Sequence, residues 1–107
     1  MNLTIEVRAK PENFHELYQT LQAILPTIRS VADCRECRIY EDVENSNIFY
    51  IDIDCLDQEK LENIMQSMGG TALIGALNLL AESVKVKLDS DSVWSDIETL
   101  KRLRKKT

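Results

Sequence analysis

Residues 2–9 alternate strictly between apolar and polar. Leu3, Ile5, Val7 and Ala9 fall on one side, Asn2, Thr4, Glu6 and Arg8 on the other. A period of two predicts a strand with one buried face. Lys10-Pro11 ends it, and Pro11 suits a helix start. From 12 to 32 the period lengthens. Phe14, Leu17, Leu21, Ile24, Leu25, Ile28 and Val31 form one helical stripe, with Asn13 and Glu16 placed to cap it. Pro26 lies inside the stripe and predicts a kink or break.

Two strands follow, at 36–43 and 48–56, around the turn Glu44-Asn45-Ser46-Asn47. Cys37, Ile39 and Val43 share the inner face of the first. Phe49, Ile51, Ile53 and Cys55 share that of the second. Apolar must meet apolar, so paired residue numbers sum to about 90 or 92. The second register sets Cys37 opposite Cys55 and Arg38 opposite Asp54. Asp57 can cap a helix over 58–68, with Leu61, Ile64, Met65 and Met68 inward. Gly69-Gly70 interrupts it. Residues 72–81 are apolar nearly all round, which predicts burial on most sides. Residues 83–89 alternate again, Val84, Val86 and Leu88 against Lys85, Lys87 and Asp89. A last amphipathic helix is expected over 93–105 after Ser92, carrying Val93, Trp94, Ile97, Leu100 and Leu103.

The order is β-α-β-β-α-β plus a C-terminal helix, an α+β, ferredoxin-like arrangement with one antiparallel four-stranded sheet and both main helices on one face. Strand order is expected to be fourth, first, third, second. The division expected is a domain over 1–90 and a C-terminal amphipathic helix with a basic end over 91–107. The other sheet face then carries Thr4, Glu6, Arg8, Arg38, Tyr40, Asp42, Tyr50, Asp52, Asp54, Lys85 and Lys87. Lys85 and Lys87 are expected beside Glu6, Arg8 beside Asp52 and Asp54, and Asp54 near Arg38. Such a face is covered either by water or by a second copy. The amphipathic arm carrying Trp94 favours a dimer, with Arg8, Arg38, Tyr40, Tyr50, Asp52, Asp54 and Trp94 at its interface.

Composition narrows the function. The chain has 107 residues, one domain's worth, and a net charge of −5. Lys101, Arg102, Arg104, Lys105 and Lys106 make the last seven residues +5, so the first hundred hold eight basic against eighteen acidic residues. That balance argues against nucleic acid. No apolar run is long enough for a membrane span, and the N-terminus shows no signal-peptide core, so a cytoplasmic location is expected. Three cysteines in that setting do not predict disulfides. Cys34-x-x-Cys37 enters a strand rather than a helix, a poor fit to a redox pair, and a fourth metal ligand is missing. Neither a metal nor another cofactor is expected. Asp52 and Asp54 share a strand face but have arginine neighbours, so ion pairing is the favoured role. His15, the single histidine, falls on the solvent side of its helix. A catalytic triad is hard to build with one histidine.

Several segments together resemble the antibiotic biosynthesis monooxygenase (ABM) group of the dimeric α/β-barrel superfamily. They are the first strand with Lys10-Pro11, the run Cys34-Arg35-Glu36-Cys37-Arg38-Ile39-Tyr40-Glu41-Asp42, Gln58-Glu59-Lys60-Leu61 opening a helix, and Ser67 followed by Leu73-Ile74-Gly75-Ala76-Leu77-Asn78-Leu79-Leu80. The resemblance implies a homodimer whose sheets face each other as a dimeric α/β barrel, with a ligand cavity between sheet and helices. It implies oxygenation of an aromatic or quinol-like substrate, often without metal or flavin. Cavity residues would be Cys37, Phe49, Cys55, Ile64, Met65, Met68 and Leu73. The family's usual tryptophan, histidine and following aromatic correspond here to Cys55, Ile64 and Gly70, so no family catalytic residue carries over. The alternative is a ligand-binding or assembly module without chemistry.

Overall fold

The computed structural model describes residues 1–89 and 93–105. The elements are β1 (Asn2–Ala9), a 3-10 turn (Pro11–Asn13), α1 (Phe14–Arg29), β2 (Glu36–Glu41), β3 (Ile48–Asp54), α2 (Gln58–Gln66), α3 (Met68–Leu80), β4 (Ala81–Leu88) and α4 (Ile97–Arg104). The four strands form one antiparallel sheet in the order β2-β3-β1-β4. This is the α+β, ferredoxin-like arrangement expected from the pattern. Leu3, Ile5, Val7, Phe49, Ile51, Ile53 and Val86 of the sheet are buried. They meet Leu17, Leu21 and Ile28 of α1, Leu61, Ile64 and Met65 of α2, and Leu73, Ile74 and Leu77 of α3 in one core. Each large apolar side chain so buried contributes about 1.5–3 kcal/mol.

Several local expectations are corrected. The Asn13 side chain makes no cap bond; the 3-10 turn leads into α1 instead, with the Asn13 N–H on the Lys10 carbonyl at 2.8 Å. Pro26 neither breaks nor ends α1. It is exposed and near the C-terminus, and its carbonyl still accepts from the Ser30 N–H at 3.0 Å. β2 stops at Glu41 because Asp42 Oδ1 accepts from the Glu44 and Asn45 N–H groups, so Val43 stands outside the strand, fully exposed. The hairpin closes through the Asp42 N–H on the Ile48 carbonyl. That sets the register sum at 90. Cys37 lies opposite Ile53, not Cys55, and Arg38 opposite Asp52, not Asp54.

The α2–α3 break falls at Ser67, whose extended backbone separates the helices. Its hydroxyl donates to the Ile64 carbonyl at 2.6 Å and accepts from the Gly70 N–H at 3.2 Å. Gly69 and Gly70 are therefore the first turn of α3, not the interruption. Met68, expected inward, is 86% exposed. α3 buries one face only; Ala72, Gly75 and Leu79 look outward. Val93 and Trp94 precede the last helix rather than belonging to it. Ser95 pairs backbone to backbone with Val86, and Asp96 caps α4 by accepting from the Glu98 N–H. Ser92 lies outside the described residues. Leu100 and Leu103 of α4 join the core, and α4 packs on α2 and α3.

Candidate functional site

Three regions could carry function: the interior between sheet and helices, the polar sheet face, and the edge where α1 runs along β2. Interior positions come from alternate residues of β2 and β3 and from the inward stripes of α2 and α3. Cys37, Phe49, Cys55, Ile64, Met65 and Leu73 are each at most 1% exposed and share one core. Met68 is held apart on the surface. Phe49 lies flat against Phe14 (centroids 5.1 Å) and Tyr18 (5.8 Å), a stack running from the core to the outer turn of α1. Such pairs add about 0.5–1.5 kcal/mol beyond area burial. Among the described residues the only buried polar one is Thr99, and no buried side-chain nitrogen or oxygen lacks a partner.

The thiols do not offer nucleophiles at neutral pH. Burial pushes the Cys37 thiol up from 9.0 to about 12, with Cys34 nearby adding to the rise. Burial also raises Cys34, against a backbone hydrogen bond at Glu36 and the charge of Arg29. It raises Cys55 as well, against the N-terminal ammonium. All three are free. Among the described residues no group of three or more His, Cys, Asp or Glu side chains is placed to hold a metal. His15 is exposed on α1.

The polar sheet face is a hydrogen-bonded network. The Tyr50 hydroxyl is 3.1 Å from Glu6 Oε1 and 3.3 Å from Asp42 Oδ2. It has one proton to donate, so the two carboxylates share it. Burial and then the Glu6 carboxylate raise its pKa. Asp42 is held below the usual carboxylate range by the Glu44 and Asn45 N–H groups. Thr4 donates to Asp52 Oδ1 at 2.9 Å, and Lys85 Nζ sits 3.9 Å from Glu6, as expected from the pattern; Lys87 lies opposite Thr4 instead. Arg8 is opposite Ile48 and Ser83, away from Asp52 and Asp54. Asp54 pairs with Arg35 at 3.0 Å and Arg38 with Glu36, because the observed register shifts both arginines. A depression of about 250 Å³ on this face is lined by Asn2, Glu36, Arg38, Tyr40, Asp52 and Asp54. Four expected interface residues thus come together. Trp94 lies across the sheet beyond β4, its ring 5.4 Å from Lys87 Nζ.

Sequence reasoning missed the third region. Along the outer edge of β2, a cleft of about 350 Å³ gathers Arg29, Cys34, Arg35, Glu36, Cys37 and Arg38. Beside it a groove of about 500 Å³ is lined by Tyr18, Gln22, Leu25, Ile39, Tyr40 and Glu41. The available signal was Leu25 and Arg29 one turn apart on α1, with Arg35 and Arg38 soon after.

No family model matches the sequence, and no curated protein does. Solved structures match over most of their length. An antibiotic biosynthesis monooxygenase is 17% identical, covering 86% of this chain and 97% of its own, with a TM-score of 0.76. A Pseudomonas aeruginosa protein is 22% identical over 80% of this chain and 87% of its own, at 0.73. A candidate antibiotic biosynthesis monooxygenase of Deinococcus radiodurans is 21% identical over 87% and 95%, at 0.73. The fold of this chain is therefore the one that these solved structures have, two of them described as antibiotic biosynthesis monooxygenases.

Proposed function

We propose that this chain is an ABM-like homodimer that binds a small apolar or aromatic molecule between sheet and helices, and that its chemistry, where it has one, is cofactor-independent oxygenation. The observation that carries this reading is the fold match across 97% of an antibiotic biosynthesis monooxygenase. A quinol needs no cofactor as reductant. Quinol and O₂ give hydroxyquinone and water, the quinol supplying all the electrons. The protein's part is to hold the quinol and exclude water.

The second reading is a binding or assembly module without turnover. It is favoured by Cys55 and Ile64, both fully buried, where the family resemblance would place a tryptophan and a histidine. Neither can take a proton at neutral pH: Ile64 has no titratable group, and burial keeps the Cys55 thiol protonated. One experiment separates them. Native mass spectrometry of gently purified protein is followed by oxygen-uptake assays with a quinol panel. A dimer carrying an organic mass, with oxygen uptake on related quinols, supports the oxygenase. A dimer that binds quinols without consuming oxygen selects the second reading, and a bare monomer overturns both.

A further inference from the structure

The two depressions along β2 lie end to end. α1 and β2 run antiparallel there, fixed by the Arg29 Nε–H donating to the Cys37 carbonyl at 2.9 Å. Leu25 and Arg29 are four residues apart on α1, about 6 Å. Ile39 and Cys37 are two apart on β2, about 7 Å. The groove, with Tyr18, Leu25 and Ile39 as its apolar wall, therefore adjoins the arginine cleft along β2. β2 is the sheet's edge strand, so no further strand covers this side.

Charge is concentrated against the background. The first hundred residues are strongly acidic, yet three of their four arginines meet in this cleft. Arg38 is tied to Glu36 and Arg35 to Asp54. Among the described residues Arg29 has no carboxylate partner and uses only its Nε–H, on a neutral carbonyl. Its remaining N–H groups form the planar fork that matches an oxyanion. The Cys34 thiol beside it stays neutral at pH 7 and adds no opposing charge. At the far end of the groove Glu41 disfavours a second negative group.

We propose that this edge is one site for a monoanionic amphiphile, an aryl or alkyl carboxylate, with its oxyanion on the Arg29 fork, beside Arg35 of the same cleft, and its apolar body along Tyr18, Leu25 and Ile39. The proposal concerns a different place from the interior binding proposed above and requires no oxygenase activity. The two volumes are of the size small-molecule sites have.

The test is a titration of isotope-labelled protein with 2-naphthoate at constant ionic strength, followed by amide and arginine side-chain NMR. Naphthoate is expected to shift resonances of residues 22–29 and 35–41. Acetate, the head alone, and 2-naphthalenemethanol, the neutral body, should each bind about tenfold more weakly or less. Arg29→Gln and Arg35→Gln should each weaken naphthoate about tenfold, while Arg8→Gln, on an exposed arginine outside the cleft, should not. Unchanged shifts in the core confirm that each variant is folded. Equal binding of the neutral alcohol, undiminished binding in both cleft variants, or shifts confined elsewhere would overturn the proposal, as would no shift at all.

Discussion

The three glycines show how closely each residue's surroundings decide its tolerance. A Cβ on Gly70 would meet the Ile64 carbonyl oxygen and come within 2.6 Å of Met65 Cα, all backbone that cannot yield. On Gly69 it would come 2.9 Å from Ile28 Cγ1 and 3.1 Å from the Ile28 nitrogen. On Gly75 it would meet nothing within 4 Å. Gly70→Ala should therefore abolish cooperative folding or cost several kcal/mol, as overpacking against backbone does. Gly75→Ala should stabilise by about 0.5–1 kcal/mol, the helix-propensity difference. Denaturant midpoints of the two variants check both. The thiols give a second expectation. The unfolded chain ionises its cysteines near pH 9.0, whereas folded Cys37 holds its proton to about pH 12. Below pH 9 this contributes no pH dependence. Between 9 and 12 the unfolded state alone loses the proton, so stability falls as pH rises. Cys37→Ala should flatten that fall in chemical denaturation measured at stepped pH. At pH 7.5 a disulfide reagent should label half-exposed Cys34 first, and Cys37 and Cys55 only on unfolding.

Among the elements, α1 carries an apparent contradiction in Pro26. A proline within a helix removes one hydrogen bond and crowds the carbonyl four residues back, here that of Gln22. The helix survives because Pro26 is solvent-exposed and Leu21, Ile24 and Ile28 around it are locked into the core. Tertiary packing outweighs the local penalty. Pro26→Ala should then raise stability by about 1–2 kcal/mol, part of the ~3 kcal/mol that interior proline costs; thermal unfolding measures it, and a loss of stability would show that the proline is structurally required. Strands β1, β3 and β4 and the inward stripes were legible from the sequence because a period of two, or of 3.6, records burial directly. The ends of elements were not. Asp42 stops β2 and Ser67 stops α2 through side-chain bonds to backbone, and their signals were weaker than the neighbouring Gly69-Gly70 pair or the apolar Val43. The hairpin register was legible only to within one step of two, because both candidate sums keep apolar opposite apolar. The turn's Asp42–Ile48 hydrogen bond, not the hydrophobic pattern, decided between them. That step moved Arg38 and Asp54 apart and, with Arg35 and Arg29, built an edge cleft that no periodicity announces.

At the scale of the whole molecule the polar sheet face is the surface that would pair two copies. Four strands about 4.8 Å apart and roughly seven residues long give a face near 20 by 23 Å, a footprint of roughly 450 Å². A standard interface takes about 800 Å² from each partner. The face supplies part of that, side-chain relief adds area, and the segment Val93–Ser95 beyond β4 extends it with exposed Val93 and Trp94. Tyr40 and Tyr50 are of the amphipathic type that interfaces favour. The surroundings are charged, so the pairing should be of micromolar strength rather than obligate. In a dimer paired through the middle of this face, each copy's Asp52 and Asp54 would approach the other's, and Arg38, opposite Asp52, would supply the compensating charge. Arg38 is thus the residue whose reversal should matter most. Sedimentation velocity at 1–100 µM is expected to show a monomer–dimer equilibrium. Arg38→Glu should weaken it about a hundredfold or more by setting like charges against each other. Lys60→Glu, on α2 away from the sheet face, should leave it unchanged. A wild-type chain that stays monomeric across this range would remove the dimer from the reading and leave the polar face to water.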